Sequence, residues 1–327
     1  MLKFHPLLKS VLWGVDRIPA FKHISTTQRY MGESWEISGV SGNESVVADG
    51  PDAGLTLPEL IAKYRDTLVG TEVYARFGNE FPLLVKLIDA EQNLSLQVHP
   101  DDALASLRHG CQGKTEMWYL IHTQPQAEIL AGFEHEITPD DYERMVTDGS
   151  ILQAVRHHEA HDGDMFFLPP GTIHSIGAGN LLAEIQQTSD ITYRVYDYDR
   201  CDAMGNKRQL HTELARQALD YSTCDHYTRA YDRNAMGLTP IVECRHFVVG
   251  RMVCDGLCRL SLAGVKSFAI VICVDGEAQL TDDCELNPGV DDNPAVTIGR
   301  GQTVLIPAAS TTLNIDGKTT LLTAWIP

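Results

Sequence analysis

No stretch of this chain carries the roughly 18 consecutive apolar residues that a transmembrane helix requires. The first twenty residues, MLKFHPLLKSVLWGVDRIPA, lack an uninterrupted apolar h-region and a small-residue cleavage site. The expectation is a cytoplasmic protein with no signal peptide and no membrane partner. Positive charge is also scarce. Against 44 Asp and Glu stand 26 Lys and Arg, for a formal charge of −18. Such a field disfavours general nucleic-acid binding, and an anionic small molecule would need a local basic pocket. Clustered cysteine spacing is missing as well. The eight cysteines are scattered, and Cys254-x-x-x-Cys258 has no second pair at metal spacing. They read as thiols of a reducing compartment.

At 327 residues the chain can build a sizeable core and two domains. Its chemistry concentrates in residues 94–120, LSLQVHPDDALASLRHGCQGKTEMWYL. Leu94, Leu96 and Val98 alternate with Ser95, Gln97 and His99, a period-2 pattern that predicts a strand. Gln97 and His99 then project from one face. Pro100 ends the strand, and Asp101-Asp102 starts a short helix with a carboxylate as its cap. Glu116 opens the next apolar run. A second stretch, GDMFFLPPGTIHSI at 163–176, places His174 on a strand after a Pro-Pro-Gly turn. Gln97, His99, Glu116 and His174 supply two nitrogens and two oxygens, a set that suits zinc and other borderline divalent ions.

Helices are expected over 57–68, with Pro58 at the first position, over 138–148, with Thr138 as cap, and over 209–221. Strands are expected at 81–88, 116–121, 128–133, 165–168, 181–188 and 191–198. Lys86 reads as a strand-end or snorkelling lysine. The segment His157-His158-Glu159-Ala160-His161 reads as an exposed polar loop. Residues 229–239 read as a linker. From 240 onward short strands alternate with turns at Asp275-Gly276, Asn287-Pro288-Gly289, 299–301 and Asp316-Gly317. The run GQTVLIP at 301–307 echoes GDMFFLP at 163–169, but no histidine follows it. The predicted fold is mainly β with peripheral helices, in two jelly-roll units. The first, 1–235, carries the metal ligands; the second, 236–327, has none.

Four motifs, LSLQVHPDD, GKTEMWY, PPGTIHSIG and SDITYRVYDYDR, lie in this order. With GESWEIS and FPLLVKLIDA they resemble the short bacterial branch of the type I phosphomannose isomerase family, from about residue 11 to residue 215. Val15, where many short members have glycine, and Ser175, where many have alanine, are mild departures. The resemblance implies a cupin-type metalloenzyme that interconverts mannose 6-phosphate and fructose 6-phosphate. It implies one zinc ion per chain held by Gln97, His99, Glu116 and His174, and Arg194 as the active-site arginine. Lys114 and Glu184 also occupy pocket positions of the family.

Moving a proton between C2 and C1 of a sugar needs a base and a group that holds enediolate charge. A divalent metal supplies the second, and a neutral Gln97 ligand keeps its site net positive. Arg194 stays protonated, so it suits charge stabilisation or clamping rather than proton abstraction. Glu184, Lys114 and a metal-bound water remain open as the base. Lys114, Arg194, Arg208 and Ser95 are available to hold substrate. As alternatives, a sugar-binding cupin with a structural metal lacks any need for Lys114, Glu184 and Arg194 beside its ions. An iron oxygenase is disfavoured by the glutamine ligand. The expected partner is a phosphosugar, and the assembly a monomer or homodimer.

Overall fold

The computed structural model describes residues 1–202, 204–284, 286 and 295–327. The strands open with β1 (Leu2–Lys3), β2 (Leu7–Ser10), β3 (Met31–Ile37), β4 (Leu83–Asp89), β5 (Leu96–Val98) and β6 (Glu116–Thr123). Next come β7 (Glu128–Phe133), β8 (Val155–Glu159), β9 (Met165–Leu168), β10 (His174–Ile176), β11 (Asn180–Gln187) and β12 (Tyr193–Tyr196). The chain closes with β13 (Gly237–Glu243), β14 (Val248–Ser261), β15 (Ala269–Asp282), β16 (Val296–Gly299), β17 (Thr303–Ile306) and β18 (Thr312–Trp325). Helices are α1 (Arg17–Phe21), α2 (Leu57–Tyr64), α3 (Asp66–Val69), α4 (Thr71–Phe77), α5 (Asp102–His109), α6 (Pro139–Asp148) and α7 (Thr212–Ala218).

These strands build three sheets. An outer sheet runs β12-β5-β10-β7-β8 and a middle sheet β2-β3-β4-β11-β6-β9. The C-terminal sheet runs β1-β17-β15-β18-β14-β13, with β16 beside β15. One face of the outer sheet, through Leu96, Val98, Leu130 and Val195, packs on Tyr142 of α6 and Ala215 of α7. Its other face meets the middle sheet, where Ile129, Ala131 and Ile176 pack on Trp118, Leu120 and Leu182. The reverse of the middle sheet, through Val85, Met117, Ala183 and Ile185, packs on Val249, Ile270, Ile272 and Leu322 of the C-terminal sheet. The C-terminal unit therefore backs the middle sheet on the face opposite the outer sheet. Among the described residues no helix is long and apolar enough to cross a membrane, and the described cysteines form no disulfide.

Local chemistry sets most element ends as expected. The Thr138 hydroxyl accepts from the Asp141 amide, and Pro139 occupies the first turn of α6. The expected helix over 57–68 instead splits into α2 and α3, because Arg65 adopts φ +49° between them. His157, His158 and Glu159 belong to β8, not to a loop, and pair with β7 through Leu130↔His157 and Ile129↔His158. Alternation in VRHHE is that of an edge strand with one wet face. Tyr231, in the expected linker, is tied down by a 2.6 Å hydrogen bond to the Gly163 carbonyl.

Asp275-Gly276 and Asp316-Gly317 are not turns. They sit inside β15 and β18, and Asp255-Gly256 sits likewise inside β14. Gly256 pairs with Gly317, which pairs with Ala278, so the three Asp-Gly pairs fall close to one row. At that row the register of β15 slips between Cys273 and Asp275. Glycine lets long strands kink there, and the sheet bends over its own core of Met252, Val271, Leu280, Ile315 and Leu321. The expected turn at Asn287-Pro288-Gly289 lies outside the described residues.

Gly276 has φ +78°, and a Cβ there would stand 2.0 Å from the Lys318 carbonyl oxygen. Gly276→Ala is expected to destabilise the protein by about 2–4 kcal/mol. The check is the urea midpoint, and an unchanged midpoint contradicts the bend assignment.

Candidate metal centre

Strand register assembles the site. Across the outer sheet, Arg194 pairs with Gln97, and Gln97 pairs with His174. Paired residues share a face, so these side chains form one row toward the middle sheet. His99 follows β5 and points the same way. On the middle sheet Glu116 starts β6, and Glu184 on β11 lies opposite Trp118 on one side and Lys86 on the other. The two sheets bring the Glu116, His99 and His174 ligand atoms within 4.8 Å of one another. His174 Nε2 lies 3.2 Å from Glu116 Oε1, and His99 Nε2 3.6 Å from Oε2.

Several features suit this cluster to a cation. His99 Nδ1 lies 2.8 Å from the Ile191 carbonyl, and His174 Nδ1 2.8 Å from the Thr172 carbonyl. Carbonyls only accept, so both Nδ1 atoms carry the proton and both Nε2 atoms present a lone pair. Burial, then the Lys114 charge, hold His99 well below its usual pKa and bring His174 down to about 4. Both rings are therefore neutral near pH 7. Glu116 is fully buried, and neither of its oxygens receives a well-aligned hydrogen bond. Burial pushes its pKa up, against the pull of Lys114. A buried carboxylate short of donors, facing two imidazole lone pairs, fits a divalent ion.

The Gln97 amide completes the ring. Its Nε2 lies 3.3 Å from His174 Nε2, and its Oε1 accepts at 3.4 Å from the Ser95 hydroxyl. Amide O and N are nearly interchangeable in shape, so a half-turn presents the oxygen to the cluster. Ser95 is itself buried beside Leu96.

Lys114 reaches into the cluster, with Nζ 2.7 Å from Glu116 Oε2, 3.0 Å from His99 Nε2 and 3.9 Å from Glu184 Oε1. Glu184 is held by Lys86 at 3.1 Å and accepts from the Trp118 indole at 2.9 Å. Burial raises its pKa, but Lys114, Lys86 and Trp118 together outweigh this and hold it low. Lys86 is thus neither at a strand end nor snorkelling. It is buried in mid-strand, opposite Glu184, and its ammonium also sits over the Trp35 ring. Trp118 also meets His174 edge-on at 5.4 Å.

Arg194 stands at the half-buried mouth. Its Nη1 donates to the Gln209 carbonyl at 2.9 Å, while its Nε is buried without an acceptor. Arg208 and Arg200 both pair with Asp197 nearby. Burial and the Arg208 charge depress the Arg194 pKa.

Sequence reading missed the brace of the Lys114 loop. The Gly113 amide donates to Asp102 Oδ1 at 3.0 Å, and the Thr115 amide donates to Gln187 Oε1 at 2.9 Å. Gln187 Nε2 closes the loop by donating to the same Asp102 oxygen at 2.9 Å. Arg245, from the C-terminal unit, pairs with the other Asp102 oxygen at 2.9 Å. The only local signal was Gln187 ending an apolar strand.

Comparison with known proteins places this arrangement. Residues 1–119 match the phosphomannose isomerase type I catalytic domain. Mannose-6-phosphate isomerase ManA of Bacillus subtilis is 36% identical over 282 residues, covering 85% of this chain and 87% of that protein. The putative mannose-6-phosphate isomerase YvyI of the same organism is 32% identical and covers 98% of this chain and 97% of its own. The crystal structure of mannose 6-phosphate isomerase from Bacillus subtilis superimposes with a TM-score of 0.86 at 31% identity, over 99% of both chains. With a two-sheet His–Glu–His site, and near full-length relatives above 30% identity, the chain belongs to the type I phosphomannose isomerase family.

Proposed function

We propose that this chain interconverts mannose 6-phosphate and fructose 6-phosphate, using one zinc ion per chain held by Gln97, His99, Glu116 and His174. The observation that carries the reading is the buried His99–Glu116–His174 cluster with both Nδ1 atoms tied to carbonyls. When bound, the metal supplies Lewis-acid polarisation of the sugar oxygens and stabilises enediolate charge. Two neutral imidazoles, a neutral amide and one carboxylate leave a bound divalent ion with net positive charge.

The remaining chemistry falls to neighbouring side chains. Arg194, in line with Gln97 and His174, clamps a substrate oxygen and offsets developing charge with a permanently protonated guanidinium. Lys114 is the better proton carrier. Glu184 is engaged by Trp118 and Lys86 and held low in pKa, which makes it a weak base. Its duty is to balance Lys86 and Lys114. Arg208, beside Arg194 at the mouth, is placed to hold the phosphate, with Ser95 fixing the Gln97 amide rather than touching substrate. Three arginines around Asp197 give this mouth local positive charge against the −18 of the whole chain. A non-catalytic sugar-binding module has no use for buried Lys114 and Glu184, since burying charges costs several kcal/mol per ion. The cytoplasm, a monomer or homodimer, and a division of the chain near 235/236 complete the reading.

The direct test is to incubate the protein with mannose 6-phosphate in deuterated water and follow fructose 6-phosphate. Turnover with exchange of solvent deuterium supports proton transfer through an enediolate, and no product from metal-loaded protein would refute the activity. Arg194→Ala is expected to keep its metal and lose about 10²–10³ in kcat. His99→Ala is expected to lose both metal and turnover. Near-normal rates in Arg194→Ala would remove its catalytic role. Gln187→Leu is expected to lower kcat about tenfold, with KM and metal content unchanged, because it releases the Lys114 loop. A change in KM alone would show that the brace does not position Lys114.

A further inference from the structure

Strands β6 and β11 have two working faces. Glu116 and Glu184 point toward the metal centre, while Tyr119 and Leu181 point the other way. There they line a separate cavity of about 610 Å³ between the middle and C-terminal sheets. That volume lies within the usual 300–1,000 Å³ range of small-molecule sites.

Four arginines line this cavity in a chain short of positive charge. Two are committed: Arg17 pairs with buried Asp89 at 2.5 Å, and Arg233 pairs with Asp164. Among the described residues the other two are not. Arg251, on β14, has Nε and Nη1 buried without an acceptor among the described residues. Its guanidinium lies 5.8 Å from the centre of the Tyr231 ring. Arg300, exposed at the rim, makes no ion pair among the described residues. Of the two aspartates in the lining, Asp162 accepts from the Thr123 amide and hydroxyl. Asp275 is exposed at the rim.

Leaving guanidinium nitrogens buried and unpaired costs free energy that an anion would recover through charge-assisted hydrogen bonds. A phosphate matches the arginine fork, and the tyrosine faces and rim carboxylate suit the ring and hydroxyls of a sugar. We infer that this cavity is a second binding site, for a phosphate-bearing small molecule of sugar-phosphate size, on the opposite face of the sheet from the catalytic centre.

Calorimetric titration of the metal-loaded enzyme with inorganic phosphate tests this. Phosphate is expected to bind saturably to Arg194→Ala, in which the catalytic mouth has lost one of its three arginines. That binding is expected to weaken at least tenfold in Arg251→Met and severalfold in Arg300→Ala. Arg300 is exposed, so Arg300→Ala keeps the test valid if Arg251→Met folds poorly, and its turnover of mannose 6-phosphate is expected to match the parent. Phosphate binding that is unchanged in both cavity variants would overturn the inference, whether or not it survives Arg194→Ala. So would an absence of saturable phosphate binding.

Discussion

Everything in the first unit turns on the Glu116 carboxylate. It is fully buried, and two imidazole lone pairs face it. A lone carboxylate in such a place costs several kcal/mol even after relaxation. Lys114 offsets part of that cost, but Lys114 is shared with Glu184, and Glu184 with Lys86. The two carboxylates and two ammoniums balance, so the imidazoles and the Gln97 amide have no charge left to satisfy. A divalent ion held there would use those lone pairs and leave the cluster positive.

The layers follow from this requirement. The side chains of the cluster come from two facing sheets, so the spacing between sheets sets the distances within it. Helices α6 and α7 back the outer sheet, and the C-terminal sheet backs the middle one. Each ligand-bearing sheet is thus held from behind by an apolar core. The C-terminal unit also reaches the Lys114 loop directly, through Arg245 on Asp102. It brings none of its described residues to the His99–Glu116–His174 cluster, yet it backs the sheet from which Glu116 and Glu184 project.

Much of this was legible locally. Period-2 alternation placed Gln97 and His99 on one face, and the Pro-Pro-Gly turn set off His174. The sequence offers a carboxylate of Asp101-Asp102 and the Thr138 hydroxyl as caps, and Asp101 and Thr138 accept the backbone amides of Leu104 and Asp141. What stayed hidden depends on partners far along the chain. Lys86 reads as misplaced until Glu184 is set opposite it, and Gln187 means little until β11 brings it to Asp102 and Thr115. Asp-Gly pairs misled for a different reason. The same dipeptide serves a turn or a kink within a strand, and only the alignment of β14, β15 and β18 decides between them. Likewise VRHHE is polar enough for a loop until β7 lies beside it.

The most direct measurement is reconstitution. The protein is stripped of metal, zinc is returned in known fractions of an equivalent, and the initial rate on mannose 6-phosphate is recorded at each step. The account predicts a rate that starts at zero, rises linearly and breaks at one zinc per chain. Full turnover by protein shown to hold no metal would contradict it.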